Sequence, residues 1–478
     1  MSICLLASLA IGFSIPQFFT EATSSLMAGH PSQTRTIAAE AAAVGGSGGP
    51  TTTYMSFSQP VKLSNDERSA QFPRVATSTS HVYVVWTGEG VNNWQTNFRK
   101  SDDRGTNFGP TRIFTESGKS YFYPDIAAIG RDVYLAWLTD SAEPAQPLAI
   151  SFKASHNYGK EFDPTIQLQV RPPDKPGNVT HPFDTTEPPK IAATKDDVYV
   201  AWFDAWDLFI RASHDHGTTF APTRTIITYP HEDDLPGDDQ VGTISIAAEG
   251  KSVYLAWHGH MSGNIYLRAS NDGGRTFGPI MNLSNNPQGT SSESPLVIAG
   301  AKNNAYVSWV TFSSSPGQAP QAMFSSSNDK GKTFAQPTIL GDIYPSSAST
   351  PNLAAHGRDV FVVWGGSFDK ALFRASHDKG RSFDPVIGLN NQESGSVSLP
   401  QLSVAKGKLY AAWLIEETNE DGTSSDHTDV RASTDGGRTF GPIITAPSQI
   451  TGPHLVLASS ASRIYLVSGG SEVFFVHS

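Results

Sequence analysis

The sequence predicts an all-β chain of eight repeated units, each built from four antiparallel strands. A hairpin motif, Ser-x-Asp-x-Gly-x-(Thr/Ser)-Phe, recurs seven times along the 478 residues. A short apolar run that usually ends in Trp recurs in phase with it, and no long helical apolar periodicity follows residue 60. The 42 glycines and 32 prolines are what many turns require. The repeat is therefore interpreted before any single residue.

The hairpin motif is clearest between residues 264 and 284. A β-type run from Ile265 to Ser270 leads into Asn271-Asp272-Gly273-Gly274, and a second run extends from Thr276 to Leu283. Asp and Gly at a bend between such runs predict a β-hairpin, in which the carboxylate accepts turn N–H bonds and Gly takes a positive φ. We therefore expect the Asp position of each copy to be structural. These positions are Asp103, Asn157, Asp215, Asp272, Asp329, Asp378 and Asp435.

The apolar runs predict the second strand of each unit. Seven end in Trp and an eighth does not: 82–86, 133–137, 198–202, 253–257, 305–309, 360–364, 409–413 and, without Trp, 464–467. These runs are apolar on both faces, so each sheet must be covered on both sides. Four-stranded units of roughly 50 residues that pack face to face are typical of a β-propeller.

The last unit is one strand short, because there are eight second strands and only seven hairpins. Residues 57–64 align with Phe277–Ser284 if one residue is inserted. We expect this N-terminal strand to complete the eighth blade and to close the ring, which removes exposed sheet edges. Seven blades, with one unit as an insertion, is the alternative.

The N-terminal region predicts export. Residues 3–19 are apolar, and we interpret 1–28 as a signal peptide or anchor, 29–56 as a flexible Ala/Gly/Ser/Thr-rich tether and 57–478 as the propeller. We therefore expect a secreted or cell-surface protein. The single cysteine, Cys4, leaves the folded part without a disulfide. A net charge of −11 argues against nucleic acid or an anionic membrane as the main partner.

The hairpins resemble the Asp-box, or BNR, repeats of the sialidase-like superfamily, and the resemblance covers nearly all of residues 57–478. It implies a β-propeller and, as one possible activity, sialidase-like exo-glycoside hydrolysis. That family uses an arginine triad, with one Arg in an Arg-Ile-Pro motif on the first inner strand, a Tyr/Glu pair and an Asp acid/base. Here the corresponding stretch is Phe72-Pro73-Arg74-Val75, with the order of Pro and Arg changed, and the other members have no assigned counterparts.

Repetition also separates packing residues from site residues, because a single site needs residues that break the symmetry. A basic residue precedes six of the hairpins, and we expect it to make repeated inter-strand or inter-blade bonds. These residues are Arg99, Lys153, Arg211, Arg268, Arg374 and Arg431. Site residues are expected in the loops of the opposite, upper face, which join the second strand to the third and each blade to the next.

Two upper-face regions contain the candidates, one in blades 3 and 4 and one in the acidic loop 416–429 of blade 7. The catalytic candidates are Arg74, Asp204, Asp207 and Glu232. The ligand-binding candidates are Trp94, His181, Trp206, His231, Asp233, His258 and His260. His231, His258 and His260 are also candidate metal ligands, and the acidic run could offer oxygens to Ca²⁺. No cofactor is assigned.

Three functions follow as hypotheses. The first is binding of a glycan or an extracellular protein through the upper-face loops. The alternative is a sialidase-like glycoside hydrolase that uses Arg74 with acids of blades 3 and 4. A further alternative is a metal-dependent site on blades 3 and 4.

Overall fold

A computed structural model describes residues 55–478 with several gaps. The gaps are 66, 142–148, 171–187, 205–206, 228–240, 261, 288, 301–303, 316, 344–349, 367–369, 391–394, 419–420, 422 and 461–462. The described residues contain no helix and form eight four-stranded antiparallel sheets arranged as an eight-bladed β-propeller, as predicted. The expectations for residues 1–54 lie outside the described residues.

The strands follow one another around the ring in chain order. They are β1 (Val61–Lys62), β2 (Ala70–Ser78), β3 (His81–Glu89), β4 (Trp94–Ser101), β5 (Arg112–Phe114), β6 (Lys119–Ile129), β7 (Asp132–Ser141), β8 (Ala149–Ser155), β9 (Ile166–Val170), β10 (Lys190–Ala193), β11 (Val198–Asp204), β12 (Asp207–Ser213), β13 (Arg224–Ile227), β14 (Val241–Glu249), β15 (Ser252–Gly259), β16 (Ile265–Ser270), β17 (Met281–Asn282), β18 (Thr290–Gly300), β19 (Asn304–Ser313), β20 (Gln321–Ser327), β21 (Thr338–Asp342), β22 (Asn352–His356), β23 (Asp359–Gly366), β24 (Lys370–Ser376), β25 (Ile387–Gly388), β26 (Ser396–Ala405), β27 (Lys408–Glu416), β28 (His427–Ser433), β29 (Ile444–Thr445), β30 (His454–Ser460), β31 (Arg463–Gly469) and β32 (Val473–His477). Blades 1 to 7 are β2–β5, β6–β9, β10–β13, β14–β17, β18–β21, β22–β25 and β26–β29, and blade 8 is β30–β32 with β1.

The second strand of each blade forms the core. These strands are buried along almost their whole length, and their tryptophans are among the largest fully buried side chains. The apolar clusters join adjacent blades; one, for example, combines Tyr254 and Leu267 of blade 4 with Val307 of blade 5. Each sheet is thus covered on both faces by its neighbours, as the two-sided apolar pattern predicts.

The N-terminal strand closes the ring. β1 pairs with β32, with Val61 opposite Phe475, and the amide of Leu63 donates to the Val473 carbonyl at 2.8 Å. The predicted completion of blade 8 is confirmed, and the seven-bladed alternative is excluded. Because the first and last strands share one sheet, the two ends of the propeller hold each other in place.

The seven hairpins share one hydrogen-bonded turn. In blade 4, Asp272 Oδ1 accepts the Ser270 hydroxyl at 2.8 Å and the Thr276 amide at 2.9 Å, and Oδ2 accepts the Thr276 hydroxyl at 2.6 Å. Asn157 keeps the first two bonds through its Oδ1, at 3.0 and 2.9 Å. The same bonds lower the pKa of a hairpin carboxyl: those from the Thr439 hydroxyl and amide hold the pKa of Asp435 at about 2.

Each hairpin also wedges against the preceding blade. Gly331 has φ of +73°, and a Cβ there would lie 2.8 Å from the Tyr254 ring of blade 4. Glycine is therefore required for both backbone conformation and space. The hairpin Phe follows the same rule, since Phe440 packs edge-on against Phe373 of the preceding blade at 4.9 Å. The turn chemistry and the inter-blade contact are thus parts of one device.

The basic residue before the hairpin ties neighbouring blades together, as expected. Arg268 donates from Nε to the Gly278 carbonyl of its own blade at 2.8 Å and from Nη1 to the Ile226 carbonyl of blade 3 at 2.7 Å. Arg99, Arg211, Arg374 and Arg431 repeat the pattern. Lys153 in blade 2 donates to the Asp163 carbonyl at 2.8 Å. These cations act between blades.

Removal of the closing strand should cost much more stability than removal of everything before it. A chain lacking residues 1–64 loses β1 and the buried Leu63, and exposes an unpaired edge at β32. We expect its thermal unfolding midpoint to fall by more than 10 °C, on the order of several kcal/mol. The matched control lacks residues 1–54 and retains β1. Equal midpoints in circular dichroism melts of the two chains would contradict the closure.

Candidate functional site

Four inner strands carry the same bulge near their upper ends. In β2, β6, β18 and β26 the pairing shifts register, and a residue other than glycine takes a positive φ directly before proline. These residues are Phe72 (54°), Tyr123 (51°), Ser294 (53°) and Leu399 (50°). Such a conformation is unfavourable for a bulky side chain and persists only where the surroundings enforce it. Bulges re-aim side chains, often beside functional sites.

The bulges of blades 1 and 2 gather aromatic rings from three adjacent blades. The Phe72 ring lies 4.5 Å from the His454 ring of blade 8 and 4.7 Å from the Tyr123 ring of blade 2. Phe122 lies 6.1 Å from Tyr123 and 5.8 Å from Trp94 of blade 1. We call these five half-buried rings the aromatic arc. It runs along the upper ends of blades 8, 1 and 2.

Backbone bonds fix the arc to the blades beneath it. The Tyr123 amide donates to the buried Thr87 hydroxyl of blade 1 at 3.1 Å. Asn93, next to Trp94, donates from Nδ2 to the Thr115 hydroxyl at 2.9 Å and to the Lys119 carbonyl at 2.6 Å. The loop that carries Trp94 is therefore attached to the start of blade 2, which gives the arc a preformed shape.

Arg74 and His454 supply the polar groups of this region. Arg74 follows the Phe72-Pro73 bulge and donates from Nη1 to the Pro73 carbonyl at 3.0 Å. Burial, with a smaller effect of the Arg74 charge, lowers the pKa of His454 to about 4. His454 is therefore neutral near pH 7, which suits its packing against Phe72.

The structure brings two of the candidates predicted from the sequence to one region, Arg74 and Trp94. Asp207 begins β12 of blade 3, opposite Asp204 across the upper loop and two blades away from Arg74. The remaining candidates of blades 2 to 4 lie outside the described residues: His181, Trp206, His231, Glu232 and Asp233. The hydrolase arrangement therefore stays a prediction.

The two histidines of blade 4 differ in exposure. His258 is buried, His260 is exposed, and their rings lie 6.1 Å apart. The residues that the structure describes contain no group of three or more His, Cys, Asp or Glu side chains placed to hold a metal ion. The third proposed ligand, His231, is not among them, so the metal hypothesis also stays a prediction.

Sequence reasoning missed Phe72, Phe122, Tyr123 and His454. A signal was present, because Phe72-Pro73 and Tyr123-Pro124 repeat a bulky residue before proline at the start of an inner strand. The residue before proline favours extended backbone, so this pattern alone does not predict the left-handed bulge. His454 has no sequence signal, since its partner is in blade 1.

Comparison with known proteins leaves the family open. No family model matches the chain. A curated protein, the cytoplasmic phenylalanine–tRNA ligase beta subunit of Arabidopsis thaliana, is 29% identical over 131 residues, or 25% of this chain. The chain spans only 22% of that protein's length.

Solved structures show low similarity. Polysaccharide lyase Uly1 aligns over 80% of this chain and 100% of its own, with 8% identity and a TM-score of 0.49. A polysaccharide lyase described as an ulvan lyase aligns over 76% and 94%, with 11% identity and a TM-score of 0.46. Trypanosoma rangeli sialidase aligns over 65% and 56%, with 13% identity and a TM-score of 0.36. At these values the activities of those proteins are not transferred to this chain. Within its described part, the chain has no helix suited to crossing a membrane.

The buried His454 should make the propeller less stable in acid. Its pKa is lower in the folded state than the unfolded value near 6.5, so the unfolded state binds the extra proton. Its stabilising effect is complete above pH 6.5 and is lost as the pH falls toward 4, by about 3 kcal/mol. We expect His454→Gln to lose correspondingly less free energy of unfolding than the wild type between pH 7 and 4, measured with urea. His260→Gln, at an exposed position of blade 4, is the control and should follow the wild type. Parallel profiles for wild type and His454→Gln would contradict the prediction.

Proposed function

We propose that the protein is a secreted or surface-tethered Asp-box propeller that binds a carbohydrate at the aromatic arc of its upper face. The observation that carries this proposal is the set of five half-buried rings held together by the bulges of blades 1 and 2. The apolar segment 3–19 supports export, and the repeated Asp hairpins support the superfamily assignment.

The chemistry of the arc suits a sugar. Sugar rings present C–H faces that pack on aromatic surfaces, and their hydroxyls need polar partners at the edge. The arc offers both, because Trp94 and Tyr123 combine an apolar ring with a polar group. Arg74 adds guanidinium donors beside the rings. A mostly apolar surface with a few polar groups is the usual composition of a small-molecule site.

The rigidity of the arc favours binding over a purely structural role. Phe72 and Tyr123 occupy strained backbone conformations that the surrounding strands enforce. A preformed surface loses little conformational entropy when a ligand binds. Asp125, the inner-strand carboxylate of blade 2, accepts the Ile191 amide of blade 3 at 2.9 Å and thereby links two blades. The position after the proline thus bridges blades at Asp125, while at Arg74 it lies beside the rings.

Binding should be measured by calorimetry of residues 55–478 against a panel of soluble oligosaccharides and polysaccharides. We expect Phe72→Ala and Trp94→Ala each to weaken binding of a positive ligand about tenfold or more, because each removes one stacking surface. Leu399→Ala is the matched control: it truncates a bulky residue of the same bulge in blade 7 and should bind like the wild type.

Two outcomes would contradict the proposal. One is a folded protein that binds no member of the panel, which would turn attention to an extracellular protein partner. The other is carbohydrate binding that Phe72→Ala and Trp94→Ala leave unchanged. Release of reducing ends from a bound ligand, abolished by Arg74→Ala, would replace simple binding by the hydrolase alternative.

A further inference from the structure

The seam between blades 4 and 5 lacks the arginine tie that joins most other blades. The tie belongs to the residue two positions before the hairpin Ser, which is Arg268 in blade 4 and Arg374 in blade 6. In blade 5 this residue is Ser325, which is buried and donates its hydroxyl to the Ala335 carbonyl at 2.7 Å. That carbonyl is the counterpart of the one that accepts Nε of the arginine elsewhere. The serine therefore replaces only one of the arginine's bonds.

The other acceptors of the arginine can be identified from blade 7. There Arg431 donates from Nη1 to the Leu389 carbonyl of blade 6 at 2.9 Å and from Nη2 to the Phe440 carbonyl at 3.0 Å. The counterparts at the seam of blades 4 and 5 are the carbonyls of Leu283 and Phe334. Leu283 corresponds to Leu389 because each donates its amide to the first pairing residue of the third strand in its blade, Ile265 or Ala371. Both carbonyls lie where no arginine of this chain reaches them.

A cleft lies at this same seam. Its volume is about 330 Å³, and its walls include Asp272, Thr276, Pro279 and Met281 of blade 4 and Lys332 of blade 5. Ala269, Pro279 and Met281 form apolar walls, while Asp272 and Thr276 place a carboxylate and a hydroxyl at the rim. Long cationic side chains commonly bury apolar stems along such walls and keep the charged end at polar groups.

We propose that this cleft binds the side chain of an arginine presented by a partner protein. The guanidinium makes the bonds to the Leu283 and Phe334 carbonyls that the chain's own arginine makes at the equivalent seams. It lies over the Phe334 ring, as Arg211 lies 5.7 Å from the centre of Phe220 and Arg431 5.8 Å from that of Phe440. The methylene stem packs along Pro279 and Met281. The repeat itself thus defines the chemistry of the ligand.

The geometry selects arginine over lysine. A planar guanidinium donates in several fixed directions at once, whereas an ammonium is a compact point charge. Blade 2 provides an internal comparison, since Lys153 occupies the arginine position there and donates to the Asp163 carbonyl of its own blade. Recognition across two blades needs donors pointing to both, which the guanidinium supplies.

The test uses the intact chain labelled with ¹³C at the methionine methyl groups. The chain has six methionines, of which Met281 lines the cleft and Met323 packs in the adjoining apolar cluster. The probe is N-acetyl-arginine amide, with the lysine and citrulline analogues as comparisons. We expect a saturable shift of the Met281 signal with arginine, at a dissociation constant on the order of millimolar for so small a ligand. Binding should be about tenfold weaker or more for the two analogues, because each loses charged, multidirectional hydrogen bonds.

Variants separate the cleft from general binding of cations. Ser325→Arg supplies the missing side chain from within, so the Met281 signal should no longer respond to the probe while the propeller melts at a higher temperature. Ser325→Lys should keep a weakened response and serves as the second variant if the first does not fold. An unresponsive Met281 in the wild type, an equal response to the lysine analogue, or an unchanged response in folded Ser325→Arg would each overturn the proposal.

Discussion

The whole architecture depends on the fact that every blade is apolar on both faces. A sheet of this kind cannot end in water, so each blade needs a neighbour on either side, and only a closed ring provides that. The second strands show the result, since Trp86, Trp257 and Trp413 are all fully buried although they belong to blades far apart in the sequence. Closure by β1 extends the same requirement to the two ends of the propeller. The N-terminal strand is therefore as much a part of the core as any inner one.

Two repeated devices set how one blade meets the next. The hairpin glycine allows close approach to the aromatic ring of the preceding blade, and the arginine bonds carbonyls on both sides of the seam. Their repetition explains why they carry no specific function. It also makes exceptions informative, because a ring of similar units shows what each position normally holds. Ser325 is such an exception at the lower face, and the aromatic residues Phe72 and Tyr123 are exceptions among the four bulges of the upper face.

The sequence predicts the fold well because its determinants are local and repeated. Strand periodicity, turn residues and the alignment of residues 57–64 with an outer strand suffice for eight blades and for closure. The site is only partly predictable. Strand order places Arg74 and Trp94 on the upper face, but the arc forms where three blades converge, and no sequence pattern reports that His454 meets Phe72. The bulge also opposes the extended preference of a residue before proline. Tertiary packing decides both features.

The strain at the arc connects the stability of the ring with the site. A positive φ at a bulky residue costs on the order of 1–3 kcal/mol, so Phe72 and Tyr123 keep it only while neighbouring strands hold them. Those strands belong to blades 1 and 2, and the Tyr123 amide is bonded to blade 1. Blade 8, which contributes His454, is the blade that the N-terminal strand completes. Loosening of the closure would therefore reach the arc directly through His454, whereas the hairpins of the lower face are held by bonds within their own turns. The aromatic surface is thus shaped by the same closure that makes the propeller stable.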